Sequence, residues 1–309
     1  VEKVNSAVKL GVESIMDLSS FGDTRVFRRR LTKECPAIIG TVLIGIAIFV
    51  ALFGRQLLAI QNPYDLTQID LSNSYLPPAW LEGGSWQFPL GTDNQGRCIF
   101  SAIIYGSVSS LTIGICGMSF ACLIGTTLGL LAGYFGGIVD GIIMRIADIQ
   151  LSFPSMFIAL FILSVVGQGI DKLLIALVLV GWVTYARTVR GATLSVKKME
   201  YIEASRTVGI PDFLIIIRHV MPNVVSSVIV LATIQMGDFI LTEAALSFLG
   251  VGVPVTEPSL GLLVKNGFDV LFSGLWWTSV FPGMYIMLLV FGINLMGDFL
   301  RDELNPKLK

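Results

Sequence analysis

Residues 98–139 have the sequence CIFSAIIYGSVSSLTIGICGMSFACLIGTTLGLLAGYFGGIV, which contains no Asp, Glu, Lys or Arg. A charge at the centre of a bilayer costs on the order of 3 kcal/mol or more, and about 20 apolar helical residues cross the hydrocarbon. This run can therefore span a membrane as a helix. In the whole chain of 309 residues, 54% are hydrophobic, 14% are charged and the mean hydropathy is +0.78. A water-soluble fold would lack the polar residues to cover itself, so we predict an integral membrane protein.

Six stretches are free of charged side chains, namely 35–54, 98–139, 149–170, 173–186, 220–237 and 270–297. Most are close to or above the length that crosses a bilayer. They predict an all-α integral membrane fold with six transmembrane helices near 36–58, 107–133, 149–167, 173–189, 223–249 and 277–298.

The distribution of Lys and Arg predicts the orientation. If the N-terminus is cytoplasmic, 17 of the 21 Lys and Arg residues lie on the inner side, the exceptions being Arg55, Arg97, Lys172 and Lys265. Because positive residues concentrate in cytoplasmic loops, we expect both termini in the cytoplasm. The segments are then a polar, basic N-terminal segment 1–35 without a signal peptide, an outer lobe 59–106, a core 107–299 with five transmembrane helices, and a tail 300–309.

Composition and motifs exclude several functions. A net charge of −1 with one histidine gives no basic surface for nucleic acid. The four cysteines, Cys35, Cys98, Cys116 and Cys122, show no CxxC spacing, so we expect packing residues and no metal site. A Ser/His/Asp set, an HExxH motif and a GxxxxGK[ST] phosphate loop are all absent from the sequence, so we expect no catalytic residue and no ATP hydrolysis by this chain.

Small residues recur every four positions in the second predicted helix, at Ala121, Gly125, Gly129, Gly133 and Gly137. Such a stripe lets another helix approach closely. Packing within the chain and a specific subunit interface are both open at this point.

A long polar segment separates the fourth and fifth predicted helices. Residues 195–208 contain helix formers, Gly209 is placed to end a helix, and Pro211 with Asp212 suits the first turn of a second helix that stops at Pro222. We predict a cytoplasmic helix-turn-helix over 195–222. A membrane pore does not need such a protrusion in order to fold, so we expect a partner to dock on it.

The residues Glu203-Ala204-Ser205, Gly209 and Met221-Pro222 resemble the EAA loop of bacterial ABC importer permeases, with Ser205 in place of the second alanine and His219 in place of isoleucine. Further matching motifs occur in order over residues 88–309. They include Gly91-Thr92-Asp93, Asp140-Gly141, Leu151-Ser152-Phe153-Pro154, Leu246-Ser247-Phe248-Leu249-Gly250 and Gly297-Asp298. Together they are similar to the C-type transmembrane subunit of the dipeptide/oligopeptide/nickel permease family.

The resemblance implies a subunit of a bacterial inner-membrane importer that forms half of a translocation pathway. It implies pairing with a second, homologous permease, two cytoplasmic ATPases that receive the loop, and an extracytoplasmic substrate-binding protein. ATP and Mg would be bound by the ATPases, and no cofactor by this chain. We expect a peptide cargo, with a nickel chelate or glutathione as alternatives. The family's GRD motif is Gly96-Arg97-Cys98 here, so these residues do not identify the cargo.

Within the loop, the resemblance assigns ATPase coupling to Glu203, Ala204, Ser205, Gly209 and Pro222. Glu203 would offer a charge, and Ala204 and Gly209 would allow close backbone approach. Gly209 is also a normal helix C-cap.

Asp238 and Glu243 lie within the fifth predicted helix, and ionisable groups there usually face a polar cavity or a partner. They are five positions apart, about 140° around a helix, so they point in different directions. We expect one to line the translocation path, and the other to pack or form a salt bridge; hydration of Glu243 at the outer interface is equally open. Asp140, Arg145 and Asp148 suggest an ion-pair cluster.

A proton-coupled secondary transporter is the main alternative function. Such a fold would show broken helices at matching positions of two repeats. The interruption at Pro154 has no such counterpart, since Pro282 lies only at the start of the sixth predicted helix.

Overall fold

A computed structural model describes residues 35–65 and 67–304. The predicted N-terminal cytoplasmic segment, apart from Cys35, and the last five residues of the predicted tail lie outside the described residues.

Within those ranges the chain forms nine α-helices, two short 3-10 helices (Leu71–Asn73 and Leu271–Ser273) and no β-strand, with one isolated bridge between Thr92 and Cys98. The helices are α1 (Cys35–Leu57), α2 (Ile99–Phe135), α3 (Gly137–Leu151), α4 (Ser155–Val166), α5 (Ile170–Val196), α6 (Glu200–Thr207), α7 (Asp212–Phe248), α8 (Leu260–Phe268) and α9 (Trp277–Leu304). The all-α fold class is confirmed.

Five helices, α1, α2, α5, α7 and α9, are long and apolar enough to cross a membrane. The pair α3 and α4 passes the same test together but bends by 88° at residues 152–154, and counts as a sixth span if taken as one. The helix predicted near 149–167 is therefore divided at the interruption expected at Pro154, and its first part begins earlier, at Gly137. Pro154 has an extended backbone (φ −59°, ψ 132°) at the start of α4, and its ring disfavours a helical conformation in the residue before it.

Other helices are longer than predicted. Helix α2 begins at Ile99 rather than at 107, α5 covers 170–196 rather than 173–189, and α9 continues to Leu304. Helix α7 begins at Asp212, so the prediction of a separate helix that stops at Pro222 is wrong. The predicted helix over 195–208 is also divided, because extended backbone at Met199 (φ −77°, ψ 139°) separates α5 from α6.

The small-residue stripe of α2 packs against α5 of the same chain. A Cβ atom added at Gly125 would lie 2.3 Å from the Trp182 carbonyl oxygen, and one at Gly129 would lie 2.6 Å from that of Ala186. Only a residue without a side chain allows this backbone approach. Gly125, Gly129 and Gly133 therefore serve packing of α2 on α5 within the chain, whereas Gly137 is the first residue of α3 and a Cβ atom there would meet no atom within 4 Å.

The predicted outer lobe corresponds to residues 58–98, which join α1 to the start of α2. Asp93 is buried there and accepts hydrogen bonds from the backbone N–H groups of Gln95 (2.8 Å) and Arg97 (2.9 Å). Burial raises the pKa of the Asp93 carboxyl above its ordinary value, and these hydrogen bonds oppose the rise. The Trp80 ring packs edge-on against Phe281 of α9 at 5.9 Å between centroids, so the lobe is attached to the transmembrane helices.

Candidate functional site

The loop between α5 and α7 is a packed unit at the end of α2. In α6, Ile202 is fully buried, whereas Glu203 and Ala204 are exposed and Ser205 is half-buried. Ile202 belongs to an apolar cluster that joins α2, α5, α6 and α7 and includes Leu130, Tyr134, Val189, Val196, Ile215, Ile216, Val220 and Val224. One face of α6 is thus fixed to three long helices, while the face with Glu203 and Ala204 is free to meet a partner.

Gly209 ends α6 as predicted. Its φ of +84° lies in the left-handed region, its N–H donates to the Arg206 carbonyl (2.9 Å), and the Ile210 N–H donates to the Ser205 carbonyl (3.1 Å). A Cβ atom at Gly209 would meet no atom of the chain within 4 Å. Glycine is therefore required here for backbone conformation, and the space beside it is open.

Tyr134, near the end of α2, connects the loop to the transmembrane helices. It is 1% exposed, and its hydroxyl donates a hydrogen bond of 2.5 Å to Asp212 at the start of α7. Arg206 of α6 donates from Nε to the same hydroxyl (3.3 Å), with its guanidinium 4.7 Å from the ring centroid. Lys197 Nζ donates to the Tyr134 carbonyl at 2.5 Å. A single side chain thus links α2, α6 and α7.

Tyr134 was not among the residues expected from the sequence. Its signal was weak, since an aromatic residue at the end of a membrane helix is commonly an interface anchor. The charged residues that reach it, Arg206 and Asp212, are far away in the sequence. Only the packing of α2 beside the loop brings them together.

Pro222 lies inside α7, where a proline normally breaks a helix because it lacks an N–H and its ring clashes with an earlier carbonyl. Here one turn of π-helix, Ile216–Val220, comes immediately before it, and the Met221 N–H bonds to the Ile216 carbonyl five residues back. The wider turn accommodates the proline, so the helix continues into the membrane. Pro222 is exposed. It lies in the first third of α7 and does not mark the end of the loop.

Exposed apolar side chains surround the turn after α6. Val208 is 80% exposed and Phe213 is 72% exposed, with Gly209 between them. Two cavities of about 570 and 670 Å³ border the turn, and both are lined by Gly209, Ile210 and Pro211. Large apolar side chains exposed next to open cavities are typical of an interaction surface.

Two ion pairs join α3 to α5. Arg190 makes a two-pronged contact with Asp140 at 2.5 and 2.6 Å, and Arg187 pairs with Asp148. The predicted ion-pair cluster of Asp140, Arg145 and Asp148 is therefore corrected. Both carboxylates form ion pairs with arginines of α5 instead of with Arg145.

Asp238 and Glu243 occupy different environments, as their angular separation predicted. Glu243 is 0% exposed, and its carboxylate accepts hydrogen bonds of 2.9 Å from Ser110, Ser247 and Ser259. The alternative that Glu243 is hydrated at the outer interface is therefore wrong, and its side chain reaches no open cavity. Asp238 is exposed, and within the described ranges it has no hydrogen bond or ion pair.

Asp238 lines a cavity of about 570 Å³ at the bend between α3 and α4, closed on the other side by α5 and α7. Gln150 holds the bend against α5: its amide donates to the Val180 carbonyl (2.9 Å), and it accepts from the Trp182 indole (3.1 Å). Among the residues described, no group of three His, Cys, Asp or Glu lies close enough together to hold a metal ion.

The chain matches known membrane transport proteins over nearly its whole length. The family described as binding-protein-dependent transport system inner membrane component matches residues 125–309, more than half of the chain. A dipeptide transport system permease protein, DppC, of Alkalihalophilus pseudofirmus is 38% identical over 91% of this chain and 89% of its own length. A glutathione transport system permease protein, GsiD, of Pectobacterium atrosepticum is 37% identical over 96% and 95%, and an oligopeptide transport system permease protein, OppC, of Bacillus subtilis is 36% identical over 91% and 88%.

A second family, radical SAM ThiC, matches residues 1–61. That segment contains one cysteine, Cys35, and so offers no set of thiolates for an iron–sulfur cluster.

The fold is similar to that of a solved transporter. An inward-facing structure of the MetNI methionine ABC transporter superposes with a TM-score of 0.54, at 20% identity, over 66% of this chain and 96% of the other. The family match and the relatives together define the class of protein, since its members are non-catalytic membrane subunits that work with ATPases and a substrate-binding protein. The chain therefore belongs to the binding-protein-dependent transport system inner membrane components, as a multi-pass permease subunit of a bacterial ABC importer.

Proposed function

We propose that this permease forms half of a translocation pathway for peptides and is driven by cytoplasmic ATPases through the loop 195–222. The other half would be a homologous second permease, and an extracytoplasmic binding protein would deliver the cargo. The termini would both be cytoplasmic, in agreement with the distribution of Lys and Arg. ATP and Mg would be bound by the ATPase subunits and not by this chain.

The observation that carries the proposal is the loop itself: one face of α6 is packed through Ile202, and the other presents Glu203 and Ala204. The exposed Val208 and Phe213 extend that surface across Gly209. A partner that binds there and moves would move α6 together with the ends of α2 and α7, because Tyr134 ties all three. Rigid-body coupling of this kind suits alternating access.

The peptide cargo is supported by the names of the relatives, which are transporters of dipeptides, oligopeptides and glutathione. Glutathione is itself a small peptide, so these cargoes share amine, carboxylate and amide groups that one pathway could accommodate. A nickel chelate would be the alternative within the same family.

The test is a charge reversal on the loop. With Glu203→Lys we expect ATPase co-purification to fall at least tenfold and ATP-driven uptake to be lost, while insertion of the chain is unchanged. Glu82→Lys is the matched control, because Glu82 is an exposed glutamate in the lobe at the opposite end of α2. Uptake is measured with dialanine, trialanine, glutathione and a nickel chelate. Normal co-purification and uptake in Glu203→Lys would reject docking at this loop, and uptake of the nickel chelate alone would reject the peptide cargo.

A further inference from the structure

Asp238 is an unpaired carboxylate inside a membrane-spanning helix. The same helix contains Glu243, whose carboxylate accepts three serine hydrogen bonds away from any cavity. Asp238 has no such partners within the described ranges and is exposed on the wall of the cavity at the α3–α4 bend. An ionisable group in the membrane is costly unless it faces water or a cation, and such groups usually mark a transport pathway.

Several polar side chains lie among apolar ones, such as Leu241, on the surface around Asp238. On α7, Ser227, Asp238 and Thr242 lie on one face, at spacings of eleven and four residues. On the neighbouring face of α5, Thr184 and Thr188 are four residues apart and both exposed. We call these five residues the α5–α7 polar surface. A lipid-facing surface would be apolar, so this surface fits an aqueous pathway.

Two cavities open on this surface. The first, of about 570 Å³, is lined by Thr184, Asp238 and Thr242. The second, of about 390 Å³, is lined by Thr188 and Ser227 and also by Arg301 of α9. Both volumes are in the range of small-molecule sites. Members of the α5–α7 polar surface thus line both cavities, with Leu231 and Ile234 between Ser227 and Asp238 on α7.

Within residues 35–65 and 67–304, no cation pairs with Asp238. It is the only charged residue lining its cavity in the described part of the chain. The arginines of the adjacent part of α5 are already paired, Arg187 with Asp148 and Arg190 with Asp140. Asp238 is therefore open to a cation carried by a bound molecule, and a free peptide supplies one, because its N-terminal amine is protonated at neutral pH.

We propose that the Asp238 carboxylate accepts hydrogen bonds from the ammonium group of a peptide cargo as it moves along the α5–α7 polar surface. This inference rests on the proposed function and adds a residue that recognises the cargo within the membrane. A charge-assisted hydrogen bond to ammonium is stronger than a neutral one, while exposure to water keeps the contact reversible. Passage requires both entry and release, which a single reversible ion contact allows.

The experiment compares Asp238→Glu, Asp238→Asn and Asp238→Lys in the assembled transporter in proteoliposomes, with trialanine as the cargo. We expect uptake to fall in the order Glu, Asn, Lys, with about tenfold loss for Asn and at least a third of wild-type uptake for Glu. ATPase activity stimulated by the binding protein and the amount of second permease that co-purifies should stay unchanged. A control, Asp269→Asn, removes an exposed charge after α8 and should leave uptake unchanged.

The outcomes separate the possibilities. If Asp238 had a purely structural hydrogen-bonding role, uptake by Asp238→Asn would equal or exceed uptake by Asp238→Glu. That result would overturn the inference. Loss of the second permease in the Asn variant would also overturn it, in favour of an ion pair between subunits. If Asp238→Asn takes up trialanine as fast as the wild type, the inference is overturned, but the proposed function stands. If the wild type takes up no peptide in an ATP-dependent manner, the proposed cargo fails, and this inference fails with it.

Discussion

The hydroxyl of Ser110 in α2 donates a 2.9 Å hydrogen bond to the carboxylate of Glu243 in α7, and both side chains are buried. Ser259, the residue before α8, donates to the other carboxylate oxygen at 2.9 Å. One buried acid therefore joins two spans and the short helix α8.

Removing one donor should destabilise this junction. Because a buried acceptor that loses its partner costs about 1–3 kcal/mol, we expect Ser110→Ala to lower the melting temperature of the detergent-solubilised protein. Thr127→Ala is the control: Thr127 is exposed on the same helix and bonds only to the carbonyl of Leu123, so its removal should have little effect. Equal melting temperatures of Ser110→Ala and wild type would contradict the importance of this contact.

The two acids of α7 illustrate how far the sequence alone could go. Their spacing predicted that they point in different directions, and the structure confirms it. The spacing could not predict that Glu243 is the buried one. The three serines that donate hydrogen bonds to Glu243 come from α2, from α7 and from the residue before α8. A partner set of this kind depends on tertiary packing and leaves no periodic signal.

For the helices too, some features could be predicted from the sequence and others could not. Hydropathy predicted all the membrane-crossing regions, since the cost of a charge in lipid is a local property of the sequence. It did not predict the 88° bend between α3 and α4 or the continuation of α7 through Pro222. Both depend on backbone geometry around a proline, and the same residue type breaks one helix and is accommodated in another.

The packing of α2 on α5 predicts the outcome of glycine substitutions. In Gly125→Ala the new Cβ would lie 2.3 Å from the Trp182 carbonyl oxygen, so the helices must separate. We expect destabilisation of about 1–3 kcal/mol, the usual cost of overpacking. Gly45→Ala in α1 is the matched control, because its Cβ would meet no atom within 4 Å. Thermal unfolding in detergent measures both, and similar loss in the two variants would show that the cost is not specific to this interface.

The ion pairs between α3 and α5 should differ in strength. The side chains of Arg190 and Asp140 are 33% and 20% exposed, whereas those of Arg187 and Asp148 are 50% and 53% exposed. Water screens the second pair more strongly, so we expect Asp140→Asn to cost about 1 kcal/mol and Asp148→Asn less than about 0.5 kcal/mol. Melting temperatures at low and high salt test this order. A larger cost for Asp148→Asn would contradict it.

Tyr134 provides the sharpest test of how the loop acts on the membrane helices. Tyr134→Phe keeps the buried ring but removes the hydroxyl that binds Asp212 and Arg206. We expect ATPase subunits to co-purify at the wild-type level, because Glu203 and Ala204 are untouched, while peptide uptake per ATP hydrolysed falls severalfold, because α6 is less firmly tied to α7. Tyr105→Phe is the matched control, since Tyr105 lies near the other end of α2 and its hydroxyl makes no hydrogen bond within the described residues. Unchanged uptake per ATP in Tyr134→Phe would mean that the apolar cluster around Ile202 alone transmits the movement.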